Sequence, residues 1–126
     1  MATFGIILIF AGGFKQTITM EYSQVVEKIK QVAADVLPKG SSVYLYGSRA
    51  RGDARPDSDW DLLILLDKPQ VAFAEKENIE FPFVDVGWDI GEDISARAYT
   101  KRQWFDGRHP LFFFNVENDK KVIYES

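Results

Sequence analysis

The segment 44–66, YLYGSRARGDARPDSDWDLLILL, constrains this chain more than any other, because a Gly-Ser turn stands near its start and an Asp-x-Asp pair precedes the apolar run that ends it. Residues 43–46 are β-branched, aromatic or aliphatic and residues 62–66 are apolar without a break, so both flanks predict buried strands joined by a charged, glycine-containing loop. In an extended strand alternate side chains share a face, which turns Asp59 and Asp61 the same way and Trp60 the other. Two carboxylates about 4 Å apart repel by about 4 kcal/mol at an effective dielectric of about 20, a cost that a divalent cation removes. With oxygen donors and no Cys or His nearby, the pair suits Mg²⁺ or Mn²⁺ better than Zn²⁺, and such ions complete their shells with water and phosphate oxygens. The layout is one for a metal-bound triphosphate.

The other end of the segment fits the same ligand. Gly47 permits close backbone approach, and Ser48 offers a hydroxyl and an amide to phosphate oxygens. If the following SRARGDAR opens as a helical turn, its free amides face the same anion. Arg49 and Arg51 add positive charge in a geometry that matches phosphate, whereas Arg55 is equally well explained as an exposed partner of a neighbouring acid. Asp53 and Asp57 read as turn formers.

Gly47-Ser48, Arg49, Arg51-Gly52, Ser58-Asp59 and Asp61-Leu62 resemble the Gly-Ser-x-Ala-Arg-Gly and Ser-Asp-x-Asp-Leu elements of the minimal nucleotidyltransferases, small members of the polymerase β superfamily. The likeness extends over residues 21–126, with about twenty residues carrying its specificity. It implies transfer of a nucleoside monophosphate from an NTP, ATP foremost, to an acceptor hydroxyl. It further implies that Asp59 and Asp61 hold Mg²⁺ and act catalytically, while Gly47, Ser48, Arg49 and Arg51 bind the nucleotide. Members of this family are often paired with a helical HEPN-type protein encoded nearby and act on it as antitoxins, so such a protein is the implied acceptor. A small-molecule, aminoglycoside-like transferase is an alternative, though those relatives carry an added helical domain. A module that binds NTP or partner with weak or no transfer is the other.

The resemblance also implies a third metal carboxylate from a later strand, and Asp85 in FVDV has the expected context. Helical spacing competes with that reading: Ile79, Phe83, Val86, Ile90 and Ile94 recur at three and four residues, Pro82 suits a first turn, and Asp85, Asp89 and Glu92 fall together on the exposed face. The helix is the preferred reading. The run 94–100 then predicts a strand, with Ser95 or Arg97 where the resemblance calls for an acid.

The remaining pattern is simpler. Val25, Ile29, Val32, Ala33 and Val36 predict a helix over 22–37 ended by Pro38-Lys39-Gly40, residues 68–78 read as a polar loop entering a helix, and a turn at 118–120 precedes a closing strand over 122–124. His109 beside an aromatic run reads as a packing residue. The expected fold is α/β, with a small mixed sheet and helices mainly on one face, the polymerase β-like nucleotidyltransferase arrangement.

At 126 residues, 46% hydrophobic and 14% aromatic, the chain has material for one core and none for a separate substrate domain. A net charge of -4 and a pI near 5.0 argue against a grip on duplex DNA. The lack of Cys excludes a disulfide framework and accords with a cytoplasmic protein. Residues 4–11 match the length of a signal-peptide core, but no Lys or Arg precedes them and the run is too short to span a bilayer. The expectation is one nucleotidyltransferase domain over residues 20–126, preceded by an extension over 1–19, without membrane attachment.

Overall fold

Apolar spacing after Met20 produces α1 (Tyr22–Val36), with Val25, Ile29 and Ala33 buried along one stripe and Pro38 just beyond its end. The Glu21 amide donates to Gln24 Oε1 at 2.8 Å, which closes the first turn. The computed structural model describes residues 7–9, 15–17, 20–107 and 109–126. Of the N-terminal apolar run, Ile7–Ile9 forms β1, paired antiparallel with β2 (Lys15–Thr17); the rest of the extension assigned to residues 1–19 lies outside the described residues.

The main sheet contains β3 (Ser42–Tyr46), β4 (Trp60–Leu66), β5 (Ile94–Thr100) and β6 (Lys121–Glu125), in the order β5-β4-β3-β6. β3 runs antiparallel to β4 and β6, and β5 runs parallel to β4, so the sheet is mixed as expected. Between β3 and β4 lies the short α2 (Ser48–Arg51); α3 (Phe73–Ile90) connects β4 to β5; α4 (Lys101–Asp106) and α5 (Pro110–Asp119) connect β5 to β6.

Residues 62–66 carry no polar break because both faces of β4 are covered. On one face Trp60, Leu62, Ile64 and Leu66 join Val43, Leu45 and Ala98 beneath α1 and α3. On the other, Leu63 and Leu65 meet Trp104 and Val116, flanked by Tyr44, Tyr46, Tyr99, Phe112 and Phe113. The two long helices thus share one face as expected, and the short α4 and α5 cover the second. Full burial of each large apolar side chain contributes about 1.5–3 kcal/mol, so β3 and β4, packed on both sides, form a rigid base for the loop between them. No described helix is long and apolar enough to cross a membrane.

The helical spacing of residues 79–90 prevails, but α3 begins at Phe73, so Pro82 sits inside the helix and not in its first turn. Ile79 and Phe83, buried against the sheet, hold the helix through the hydrogen bond that proline removes. Residues 73–78 have a loop-like polarity because most of them line the exposed side of the first turns. The chain leaves α3 through Gly91 at φ 75°.

Candidate active site

Register brings the ends of the diagnostic segment together. Tyr46, the last residue of β3, pairs with Asp61 on β4, so Gly47 turns off the sheet directly beside that carboxylate. Gly47 has φ 76° and ψ -158°, and a Cβ placed there would lie 2.5 Å from Asp61 Oδ2. Only glycine allows this contact. Ser48 then starts α2, whose first two amides have no acceptor within the helix. The acid pair and the Gly-Ser turn therefore meet at the ends of the two central strands.

Asp59 is exposed just ahead of β4, and Asp61 is half-buried. Burial raises the Asp61 carboxyl above the ordinary carboxylate range, and the charge of Asp59 raises it further, while Arg97 and Arg51 act in the opposite direction. Tyr46 is pushed up to about 12, first by burial and then by Asp61. Two mutually repelling carboxylates with oxygen donors only fit a hard divalent cation, for which Asp59 and Asp61 are the ligands on offer.

The arginines divide by what they touch. Arg49 Nη2 donates to the carbonyls of Ser58 at 2.9 Å and Pro56 at 3.2 Å, its guanidinium lies 4.8 Å from the Trp60 ring centre, and it approaches Glu92 at 3.8 Å. Its side chain is only 16% exposed. The Arg49 side chain thus braces the loop that carries Asp59 through Nη2, one of its three guanidinium nitrogens. Arg51 is held by Asp119 at 2.9 Å and Asp53 at 3.2 Å, remains 47% exposed and acts electrostatically on Asp61. Arg55 pairs at the surface with Asp57 at 4.0 Å.

A nucleotidyltransferase domain model matches residues 26–110, about two thirds of the chain and all of the segment just described. The chain belongs to the nucleotidyltransferase domain family. No curated protein matches its sequence. Among solved structures, a toxin–antitoxin complex with AMP-PNP superposes with a TM-score of 0.59 at 17% identity, over 80% of this chain and 73% of the other. A Shewanella oneidensis MNT antitoxin in complex with its tri-AMPylated HEPN toxin gives 0.56 at 14%, over 82% and 72%. A putative nucleotidyltransferase from Sulfolobus solfataricus gives 0.57 at 18%, over 82% of both. The family and fold implied by the Gly-Ser and Asp-x-Asp elements are borne out.

In this nucleotidyltransferase domain the position for a third acid is filled otherwise. Asp85 lies exposed on α3, which covers the opposite face of the sheet, so its proposed metal role is corrected: it cannot join Asp59 and Asp61. In the parallel ladder Ser95 stands opposite Asp61 and Arg97 opposite Leu63, both on the side of β5 that Asp61 shares. Glu92, expected on the exposed face of α3, instead follows Gly91 and accepts the Trp60 indole N–H at 2.9 Å. Glu92 and Asp119 escape sequence reading, since nothing local to them signals contacts made across dozens of residues. His109 packs among Tyr99, Trp104 and Phe112, in line with its neighbours in the sequence.

Proposed function

We propose that this domain transfers AMP from ATP to a hydroxyl on a partner protein, a HEPN-type helical protein being the first acceptor to test. The contact of Asp61 with the Gly47 backbone carries the reading, because it joins an acid pair to a phosphate-type turn at one point. The choice of acceptor is supported by the shared fold with an MNT antitoxin bound to a tri-AMPylated HEPN toxin. The working domain is taken as residues 20–126 and its setting as the cytoplasm; burial of Met20 in the first core supports that starting point.

Asp59 and Asp61 would hold Mg²⁺ or Mn²⁺, which when bound neutralises phosphate charge and orients the reactants. Gly47 lets the triphosphate approach the backbone, and the Ser48 hydroxyl donates to its oxygens. Arg51, steadied by Asp119, adds positive charge without reorganisation. The acceptor oxygen bonds to the α-phosphorus as the bond to the bridging oxygen breaks; pyrophosphate leaves with the electron pair, and the hydroxyl proton passes to solvent. Confinement of acceptor and ATP in one orientation supplies much of the acceleration.

A second reading, a module that binds NTP or partner with little transfer, is favoured by one observation: no group of three metal-ligating side chains occurs among the described residues. The two are separated by incubating the protein with α-labelled ATP, Mg²⁺ and a HEPN-type partner. Label on the partner that disappears with Asp59→Asn or Asp61→Asn supports transfer. Undiminished partner binding with no label under any condition supports the module.

A further inference from the structure

Beside the acid pair the sheet presents a cation where a third acid would serve a second metal. Ser95 and Arg97 face the side of the sheet that Asp61 faces, while Ala96 and Ala98 pack into the opposite core. The Arg97 side chain is exposed, its guanidinium lies 5.0 Å from the Phe112 ring centre, and it forms no ion pair among the described residues. In the ladder it stands two residues beyond Ser95, the partner of Asp61, and its charge bears on Asp61 and on Tyr46. Two-metal sites hold their cations about 3.5–4 Å apart and need acidic ligands to offset that repulsion. Here the described residues offer two acids, and the neighbouring strand adds fixed positive charge.

We propose that the site takes a single divalent cation, held by Asp59, Asp61 and the triphosphate, and that Arg97 takes the place of a second cation by contacting the α-phosphate. A guanidinium is well matched to that role, being always charged, planar, and able to give two parallel hydrogen bonds to phosphate oxygens. Seated over the Phe112 ring, it keeps its donor edges free for a ligand. The inference rests on the nucleotidyl-transfer reading and adds to it a metal count and a role for Arg97.

The test counts metal and nucleotide separately from turnover. The full chain is mixed with α,β-methylene-ATP and titrated with Mn²⁺, bound Mn²⁺ being counted by electron paramagnetic resonance and nucleotide affinity measured by calorimetry. Wild type is expected to bind one Mn²⁺ per nucleotide. Arg97→Ala should keep that ratio and bind the nucleotide about 10-fold more weakly, as one charge-assisted phosphate contact is worth. Arg97→Asp should bind two Mn²⁺ per nucleotide. Circular dichroism checks folding, and Arg97→Gln, which keeps the bulk, substitutes for the alanine variant should that unfold. Two Mn²⁺ in wild type, an unchanged affinity in Arg97→Ala, or a single Mn²⁺ in Arg97→Asp overturns the inference and leaves nucleotidyl transfer standing. Absence of any Mn²⁺-dependent nucleotide binding by wild type overturns both.

Discussion

Replacing Gly47 with alanine tests the contact on which the site depends. At φ 76° and ψ -158° the residue occupies backbone space that side chains avoid, which costs about 1–3 kcal/mol for any other residue. The new methyl would sit 2.5 Å from Asp61 Oδ2. Because that oxygen ends a rotatable side chain, the clash is relieved by turning the carboxylate away, so the added loss falls on ligand geometry more than on stability. Gly52→Ala is the matched control: its φ is also positive, at 90°, but nothing lies within 4 Å of the new carbon. With an unfolding entropy of about 2.1 cal/mol/K per residue, 126 residues give about 4 °C in Tm per kcal/mol. Gly52→Ala should therefore melt about 4 °C lower for about 1 kcal/mol of backbone strain, and Gly47→Ala about 4–12 °C lower for about 1–3 kcal/mol. Mn²⁺-dependent binding of α,β-methylene-ATP should fall about 100-fold, or about 2.7 kcal/mol, in Gly47→Ala and stay within about threefold in Gly52→Ala. A folded Gly47→Ala that binds as the Gly52 variant does would refute the reasoning.

Asp61→Asn should raise the metal-free Tm at pH 7 by a few degrees while abolishing stabilisation by Mn²⁺ and nucleotide. Burial, and then Asp59, raise the folded-state carboxyl, so the folded protein prefers it protonated. Stability from this group is present below its unfolded value and lost as pH climbs through the folded one; the advantage of the amide should accordingly vanish below about pH 4. A metal-free Asp61→Asn that melts at or below wild type at pH 7 contradicts this. Arg49→Ala should lower Tm by about 8–12 °C through loss of hydrogen bonds worth about 2–3 kcal/mol, and weaken nucleotide binding about 10-fold by loosening the loop ahead of Asp59. An unchanged Tm with lost nucleotide affinity would instead mean that the guanidinium touches phosphate directly.

Much of this arrangement is legible in the sequence because the decisive signals are local. Alternation along 59–61 predicts two acids on one side, with which burial of Trp60 in the opposite core agrees, and the unbroken run 62–66 marks a strand covered on both faces. The spacing of residues 79–90 prevails over the attractive context of Asp85 for the same reason: buried Ile79 and Phe83 anchor a helix whose opposite side must face water. What local pattern does not reveal is how charged side chains divide their donors. Arg49 and Arg51 are two residues apart in one helical turn, yet one is spent on the carbonyls of Pro56 and Ser58 while the other reaches Asp119. That division follows from the strand order, which brings β6 beside β3 and the end of α5 beside α2, and no spacing rule encodes it.

The same division explains why the electrostatics near Asp61 tolerate a missing third acid. Against Asp59 and Asp61 stand Arg51 and Arg97, so the metal-free pair is opposed by two guanidinium charges. A dication about 5 Å from either guanidinium would meet about 6–7 kcal/mol of repulsion at an effective dielectric of about 20. One such ion, drawn in by two carboxylates and a polyanionic triphosphate, would overcome that opposition. A second would face it with no additional carboxylate from the described residues to help, so the metal count, more than the rate of transfer, is the quantity that tests the single-cation proposal.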